Sequence, residues 1–324
     1  MSFTVSAAPH IRPQTTTGRI MASVLVALSP VMFWAVVQFG WAAAVHLAVC
    51  GASAVVFELL SQIVTRRRVT AGDLSALVTG VILALNLPPA APWWIGVVGS
   101  GFAVLLVKQL FGGLGRNFLN PALTARAALL ASWPVIMTSY TLPSVFNIGA
   151  LPVADALSGA TPLNGLQVNL YELFIGRIPG SMGEICKLAI LLGAAYLLIR
   201  RVITWHVPVS FIGVFMLATY LGGGDPLRAV LSGGVLFGAV FMATDYVTNP
   251  MTKVGQLVFG AGCGLLVFLI RNFGSYPEGV TYAILIMNIF TPLIDRFIKP
   301  KVFGTVKKAR TPKKVKLAKG GESA

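Results

Sequence analysis

Apolar runs of nearly twenty residues recur along this chain, each long enough to cross the hydrocarbon core of a bilayer as an α-helix. Ten are predicted, at 18–37, 41–64, 73–87, 93–111, 120–133, 183–200, 207–221, 229–244, 253–271 and 280–297. Their ends carry helix-stopping residues: Pro88-Pro89 after the third, Pro134 after the fifth, and Gly222-Gly223-Gly224-Asp225-Pro226 after the seventh. The polar stretch 134–182 separates two groups of five. The expected fold is an all-α polytopic membrane protein of about ten transmembrane helices with one long extramembrane loop. Its parts are a terminus at 1–17, a first five-helix half at 18–133, a loop at 134–182, a second half at 183–298 and a basic tail at 299–324.

Composition agrees with the pattern. The chain is 56% hydrophobic and 11% charged, where a soluble domain averages about 25% charged. The net charge of +15 does not point to nucleic acid, because Lys and Arg sit at span ends and in the tail, with no aromatic-interleaved basic groove. With both termini cytoplasmic, the inner side collects twenty Lys and Arg and the outer side four, Arg126 lying within a span; without the tail the ratio is still thirteen to four. This orientation puts the 134–182 loop outside the cytoplasm, and the tail in water or against anionic lipid. About eighteen mostly polar residues precede the first run, which is long enough to remain as a helix, so a cleavable signal is not expected.

The segments 79–88 and 233–250 are alike in their Gly and apolar residues, are five spans apart and run in opposite directions. They predict two inverted five-helix repeats, an arrangement that places sites between the halves. Gly96, Gly99-Ser100-Gly101 and Gly260/Gly262/Gly264 suit close helix contact. Cys50, Cys186 and Cys263 have no C-x-x-C spacing and read as small buried hydrophobes. His10, His46 and His206 lack metal-ligand spacing, and no metal site is expected. Glu58, Asp73, Asp245 and Asp295 lie near inner span ends. Asp73 reads as a helix cap, Glu58 and Asp295 as partners of nearby Arg side chains, and a role in guiding an ion is the alternative.

The polar loop contains Ser158-Gly159-Ala160-Thr161 followed by Pro162, with Asp155 just upstream. No base adjoins the Thr161 hydroxyl, so it is a poor nucleophile of its own. Small neighbours that admit close approach make it a better substrate for another enzyme. The segment resembles the S-G-A-T flavinylation site of the RnfD/NqrB family of membrane subunits. Gly115-Arg116-Asn117-Phe118-Leu119-Asn120-Pro121-Ala122 and Ala243-Thr244-Asp245-Tyr246-Val247-Thr248-Asn249-Pro250 also resemble stretches of that family, and the likeness covers essentially the whole chain. The short N-terminus is closer to the RnfD branch than to the quinone-reducing NqrB branch.

The resemblance implies that a flavin transferase esterifies Thr161 with the phosphate of FMN, Ser158, Gly159, Ala160 and Asp155 forming its surroundings. It implies a second, non-covalent flavin, riboflavin, with Asn117, Asn120, Thr124, Asp245 and Asn249 as candidates to line its pocket. For each Asn-Pro segment the alternative is a capped helix start. The chain would then relay electrons in a complex that passes them between reduced ferredoxin and NAD⁺ and exports Na⁺ or H⁺. Such a translocase subunit of the bacterial inner membrane needs no catalytic side chain of its own beyond the flavin attachment. Its partners would be the other Rnf subunits (A, B, C, E and G) and membrane lipid. The rival readings are a sodium pump subunit of NqrB type, an inverted-repeat channel or carrier, and a non-redox scaffold subunit.

Overall fold

Two long apolar helices open the chain. In this computed structural model, which describes residues 16–140, 169–176, 178–274 and 279–299, α1 (Thr17–Phe39) starts at Thr16, whose hydroxyl accepts from the Arg19 N–H. Gly40, at φ 60°, turns the chain directly into α2 (Trp41–Val64). After a 3₁₀ turn at Ala71–Asp73 comes the short α3 (Ser75–Leu85). Next, α4 (Trp93–Gly101) widens into a π-helical stretch, Phe102–Gln109, followed by α5 (Pro121–Ser132) and the short helices α6 (Pro134–Thr138) and α7 (Leu170–Ile175). The later part holds α8 (Lys187–Ile199), α9 (His206–Leu221), α10 (Pro226–Leu231) and α11 (Val235–Phe237). The last of these runs into a second π stretch, Gly238–Met242, before α12 (Lys253–Phe273) and α13 (Val280–Phe297). No strand occurs among the described residues.

Among the described residues four helices, α1, α2, α12 and α13, are long and apolar enough to cross a membrane, and α3, α8, α9 and the 93–109 stretch are shorter apolar helices. Phe33, Leu60, Leu192, Leu217 and Leu265 point outward and exposed, as side chains facing lipid tails do. This is a multi-pass membrane protein.

The ten runs are not ten continuous helices. The run expected at 73–87 contains only 11 helical residues, about 16 Å at 1.5 Å per residue, because Asn86 and Pro88-Pro89 end the helix. The run expected at 229–244 is cut into α10, α11 and a π stretch by Ser232-Gly233-Gly234, with Gly233 at φ 67°. Backbone left unpaired at such breaks must be satisfied by protein. Near the end of α3 the 178–186 segment does this: Met182 N–H donates to Leu87 C=O (3.3 Å) and Gly183 N–H to Leu85 C=O (2.6 Å).

Each long helix organises a group. Against α2 pack α3 and α4; against α12 pack α9 and α13; α1 packs on α8 and α5 on α13, joining the groups. The core is continuous, with Leu28, Leu83, Ile95, Leu123, Phe211, Phe237 and Phe259 fully buried.

Candidate functional site

A cleft lies where the ends of these groups meet. Its walls come from α1 (Val24), α3 (Ser75, Thr79, Ile82), the first π stretch (Lys108), the start of α5 (Asn117, Asn120), the end of α8 (Leu197) and the second π stretch with the turn after it (Phe241, Asp245, Tyr246). The space between them, its open mouth included, is about 780 Å³, within the range of small-molecule sites, roughly 300–1,000 Å³. Both π stretches contribute to the wall, and such stretches are frequent at functional sites.

The cleft brings together three of the five residues expected around a second flavin: Asn117, Asn120 and Asp245 line it, and Thr124 and Asn249 are not among its lining residues. Asn120 is also the N-cap of α5. Its Oδ1 accepts from the N–H groups of Ala122 (3.1 Å) and Leu123 (3.3 Å), and its Nδ2 donates across to Met242 C=O (3.2 Å). Capping and lining are thus the same residue's work. Thr124 turns its hydroxyl back to Asn120 C=O (2.8 Å). Asn117 Nδ2 donates to Leu119 C=O (3.0 Å), holding the Gly115–Asn120 turn. Asp245 Oδ2 accepts from the Thr248 hydroxyl (3.3 Å), and burial pushes its carboxyl above the ordinary range. Tyr246 donates its hydroxyl to Val202 C=O, tying this turn to the end of α8.

One wall carries a buried charge pair. Lys108 Nζ lies 2.7 Å from Glu58 Oε1, with both side chains almost wholly out of solvent. The same ammonium donates to Ser75 Oγ (2.6 Å), whose hydroxyl donates to Asp73 Oδ1 (2.5 Å), and Gln109 Nε2 donates to Glu58 (2.9 Å). The expectation that Glu58 pairs with an Arg is corrected here. Its partner is a lysine brought in from another helix, because the arginines after α2 turn outward into exposed positions. Asp295 likewise accepts from the Met251 N–H (3.1 Å). Asp73 does serve the start of α3, accepting from the Ser75 N–H (2.8 Å).

A sequence model of the NQR2, RnfD, RnfE family matches residues 4–304. The chain belongs to this family. It is 45% identical over 316 residues, 95% of this chain and 97% of the relative, to the D subunit of the Na⁺-translocating ferredoxin:NAD⁺ oxidoreductase complex of Acetobacterium woodii. It is 40% identical over 325 residues (94% and 96%) to the D subunit of the proton-translocating ferredoxin:NAD⁺ oxidoreductase complex of Clostridium ljungdahlii. It is 36% identical over 348 residues (94% and 99%) to the D subunit of an ion-translocating oxidoreductase complex of Salmonella paratyphi A.

Thr161, with Asp155, Ser158, Gly159 and Ala160, lies outside the described residues of this family member. A second polar cluster, which no motif announced, is deep in the bundle. Arg126 donates to Thr281 Oγ1 (3.1 Å) and Ser181 Oγ (3.3 Å) and approaches Glu184 Oε1 at 4.0 Å. Lys187, counted from the sequence as an outer-side charge, is fully buried and donates to Glu184 C=O and to Gly233 C=O (3.0 Å), so it closes the break before α11. Only its place at the start of an apolar run hinted at burial. Among the described residues no three His, Cys, Asp or Glu side chains gather as metal ligands.

Proposed function

We propose that this chain is the D subunit of an ion-translocating ferredoxin:NAD⁺ oxidoreductase complex, an electron relay with FMN esterified to Thr161 and a non-covalent flavin, riboflavin, in the cleft. What carries the reading is near end-to-end likeness to proteins bearing that description, 45% identity over 95% of the chain in one case, together with Ser158-Gly159-Ala160-Thr161 in the polar loop. The other Rnf subunits, a flavin transferase and membrane lipid are the partners that follow. The packing of α4 on α2 and α5 in the first half, matched by that of α12 on α9 and α13 in the second, supports two inverted halves and a ten-pass topology with some spans broken. Both termini then lie on the cytoplasmic side of the bacterial inner membrane and the Thr161 loop on the extracytoplasmic side.

A flavin supplies the one- and two-electron chemistry that no side chain here has. The chemistry of the cleft suits its ring: Val24, Ile82, Leu197 and Phe241 offer an apolar slot that excludes water, and Asn117, Ser75, Lys108 and Asp245 stand at its polar edge. Asn117 and the Asn120 cap would orient the ring edge, and the Lys108 ammonium would favour electron density arriving near it.

The test is Thr161→Val, which keeps the shape and removes the hydroxyl. Wild-type protein from a host with the transferase should show flavin that survives denaturation and maps by mass to the Thr161 peptide. The variant should lose that flavin and electron transfer, yet keep flavin that denaturation releases from the cleft. Full electron transfer in the variant would mark a scaffold, and colourless wild-type protein a carrier.

A further inference from the structure

The cleft is joined to the surface by a chain of hydrogen bonds. A second, wider cleft, outer in lying nearer the protein surface and cytoplasmic in the proposed topology, is lined by Arg67, Arg68, Asp73 and Gln109. Asp73 and Gln109 belong to the outer cleft, Ser75 and Lys108 to the inner one, and the links between them are closed. Ser75 Oγ donates to Asp73 Oδ1 at 2.5 Å and accepts from Lys108 Nζ at 2.6 Å, while Glu58, gripped by Gln109, holds the other side of the ammonium at 2.7 Å. Ser75, Glu58, Lys108 and Gln109 are all buried, and Asp73 is half-buried at the mouth.

A buried ion pair is weak evidence for stability, since desolvation offsets most of its attraction. A lysine that opens on one cavity and is linked through a hydroxyl to a carboxylate in another has the parts of a proton relay. We propose that Asp73, Ser75 and Lys108 carry protons from the outer cleft to the redox group bound in the inner one, with Glu58 holding the Lys108 ammonium in register. The proposal rests on the reading of the inner cleft as a flavin site.

The balance is one electron and one proton delivered together. The electron comes from a reduced flavin or iron–sulfur group of a partner subunit. Lys108 gives up one N–H proton to the ring and is left as a neutral amine. Asp73, the carboxylate that accepts from Ser75, then takes a proton from water in the outer cleft, and the Ser75 hydroxyl passes its own proton to the Lys108 amine and takes that one from Asp73. Each atom of the chain returns to its starting state. The charged and titratable groups facing Lys108 are Glu58 from α2, Asp73 through Ser75, and Asp245 and Tyr246 across the inner cleft; Arg67 and Arg68 border the entrance.

Ser75→Ala, Ser75→Thr and Asp73→Asn, each in the full complex, test this. Lys108→Met is less informative, because it strands a buried Glu58. Released flavin is quantified first, and the rate of its reduction by dithionite is then taken per bound flavin in H₂O and D₂O. Infrared difference spectra are recorded on reduction. Ser75→Ala and Asp73→Asn should slow reduction by about 100-fold, the low end of what positioned proton transfer contributes. Ser75→Thr should restore the rate, and Asp73→Asn should abolish a carboxyl difference band present in the wild type. Wild-type rates and an unchanged isotope effect in either variant expected to be slow, with flavin bound, overturn the relay and leave the flavin reading intact. Wild-type complex with no releasable flavin overturns both.

Discussion

Asp245 is half-buried at the edge of the inner cleft, and its ionised form is opposed by its surroundings. Desolvation raises its pKa above the ordinary 3.8, and the Val247 N–H, the Thr248 hydroxyl and the Tyr246 N–H work the other way. Because the folded value exceeds the unfolded one, the folded chain binds the proton more tightly. That stabilisation is complete below the ordinary carboxylate value and is lost as pH rises through the raised one. At neutral pH the desolvation of this carboxyl therefore works against folding. Asp245→Asn should raise the thermal unfolding midpoint at neutral pH and flatten its dependence on pH. A lower midpoint at neutral pH would mean that the hydrogen bonds around Asp245 outweigh its desolvation.

At the level of elements, the tightest helix pair is held by missing side chains. On α12, Gly260 and Gly264 lie one turn apart against the backbone of α9. A Cβ on Gly260 would sit 2.7 Å from Val207 C=O, and one on Gly264 would sit 3.0 Å from the Phe215 N and press on Phe211 C=O. These are backbone atoms of a packed helix and cannot step aside. Gly264→Ala should cost about 1–3 kcal/mol, as overpacking does, and lower the unfolding midpoint in detergent. Gly213→Ala, on α9 with nothing within 4 Å of the added carbon, should be neutral. The small-residue run at 260–264 is readable as a contact face, and it is one. The π stretches are not readable: they begin inside apolar runs, Gly101-Phe102 and Phe237-Gly238, with no Pro or charge to mark them.

For the whole molecule, the proposed topology separates the two flavins across the membrane. All three native cysteines are buried, so a single introduced cysteine can be read cleanly. In intact cells a membrane-impermeant maleimide should label Thr161→Cys and leave Gly72→Cys unlabelled until the membrane is permeabilised. Labelling of Gly72→Cys in intact cells would reverse the orientation and place the Thr161 loop where an outer transferase cannot reach it.

The sequence by itself determined that the chain lives in a membrane and roughly where most of its helices stop, and it offers the Thr161 hydroxyl that the proposal esterifies with a flavin. These properties are local: apolarity summed over twenty residues, a Pro-Pro or Gly-Gly break, and a tetrapeptide in a polar loop. Asn117, Asn120 and Asp245 were legible as pocket neighbours only through the family resemblance, which also pointed to Thr124 and Asn249, two residues that do not line the cleft. Only the tertiary structure decided which polar groups meet. Lys108 finds Ser75 33 positions away, Gln109 finds Glu58 at 51, Asn120 finds Met242 at 122 and Arg126 finds Thr281 at 155. In a low-dielectric interior each buried polar group must find a partner, and packing geometry across the bundle chooses which one.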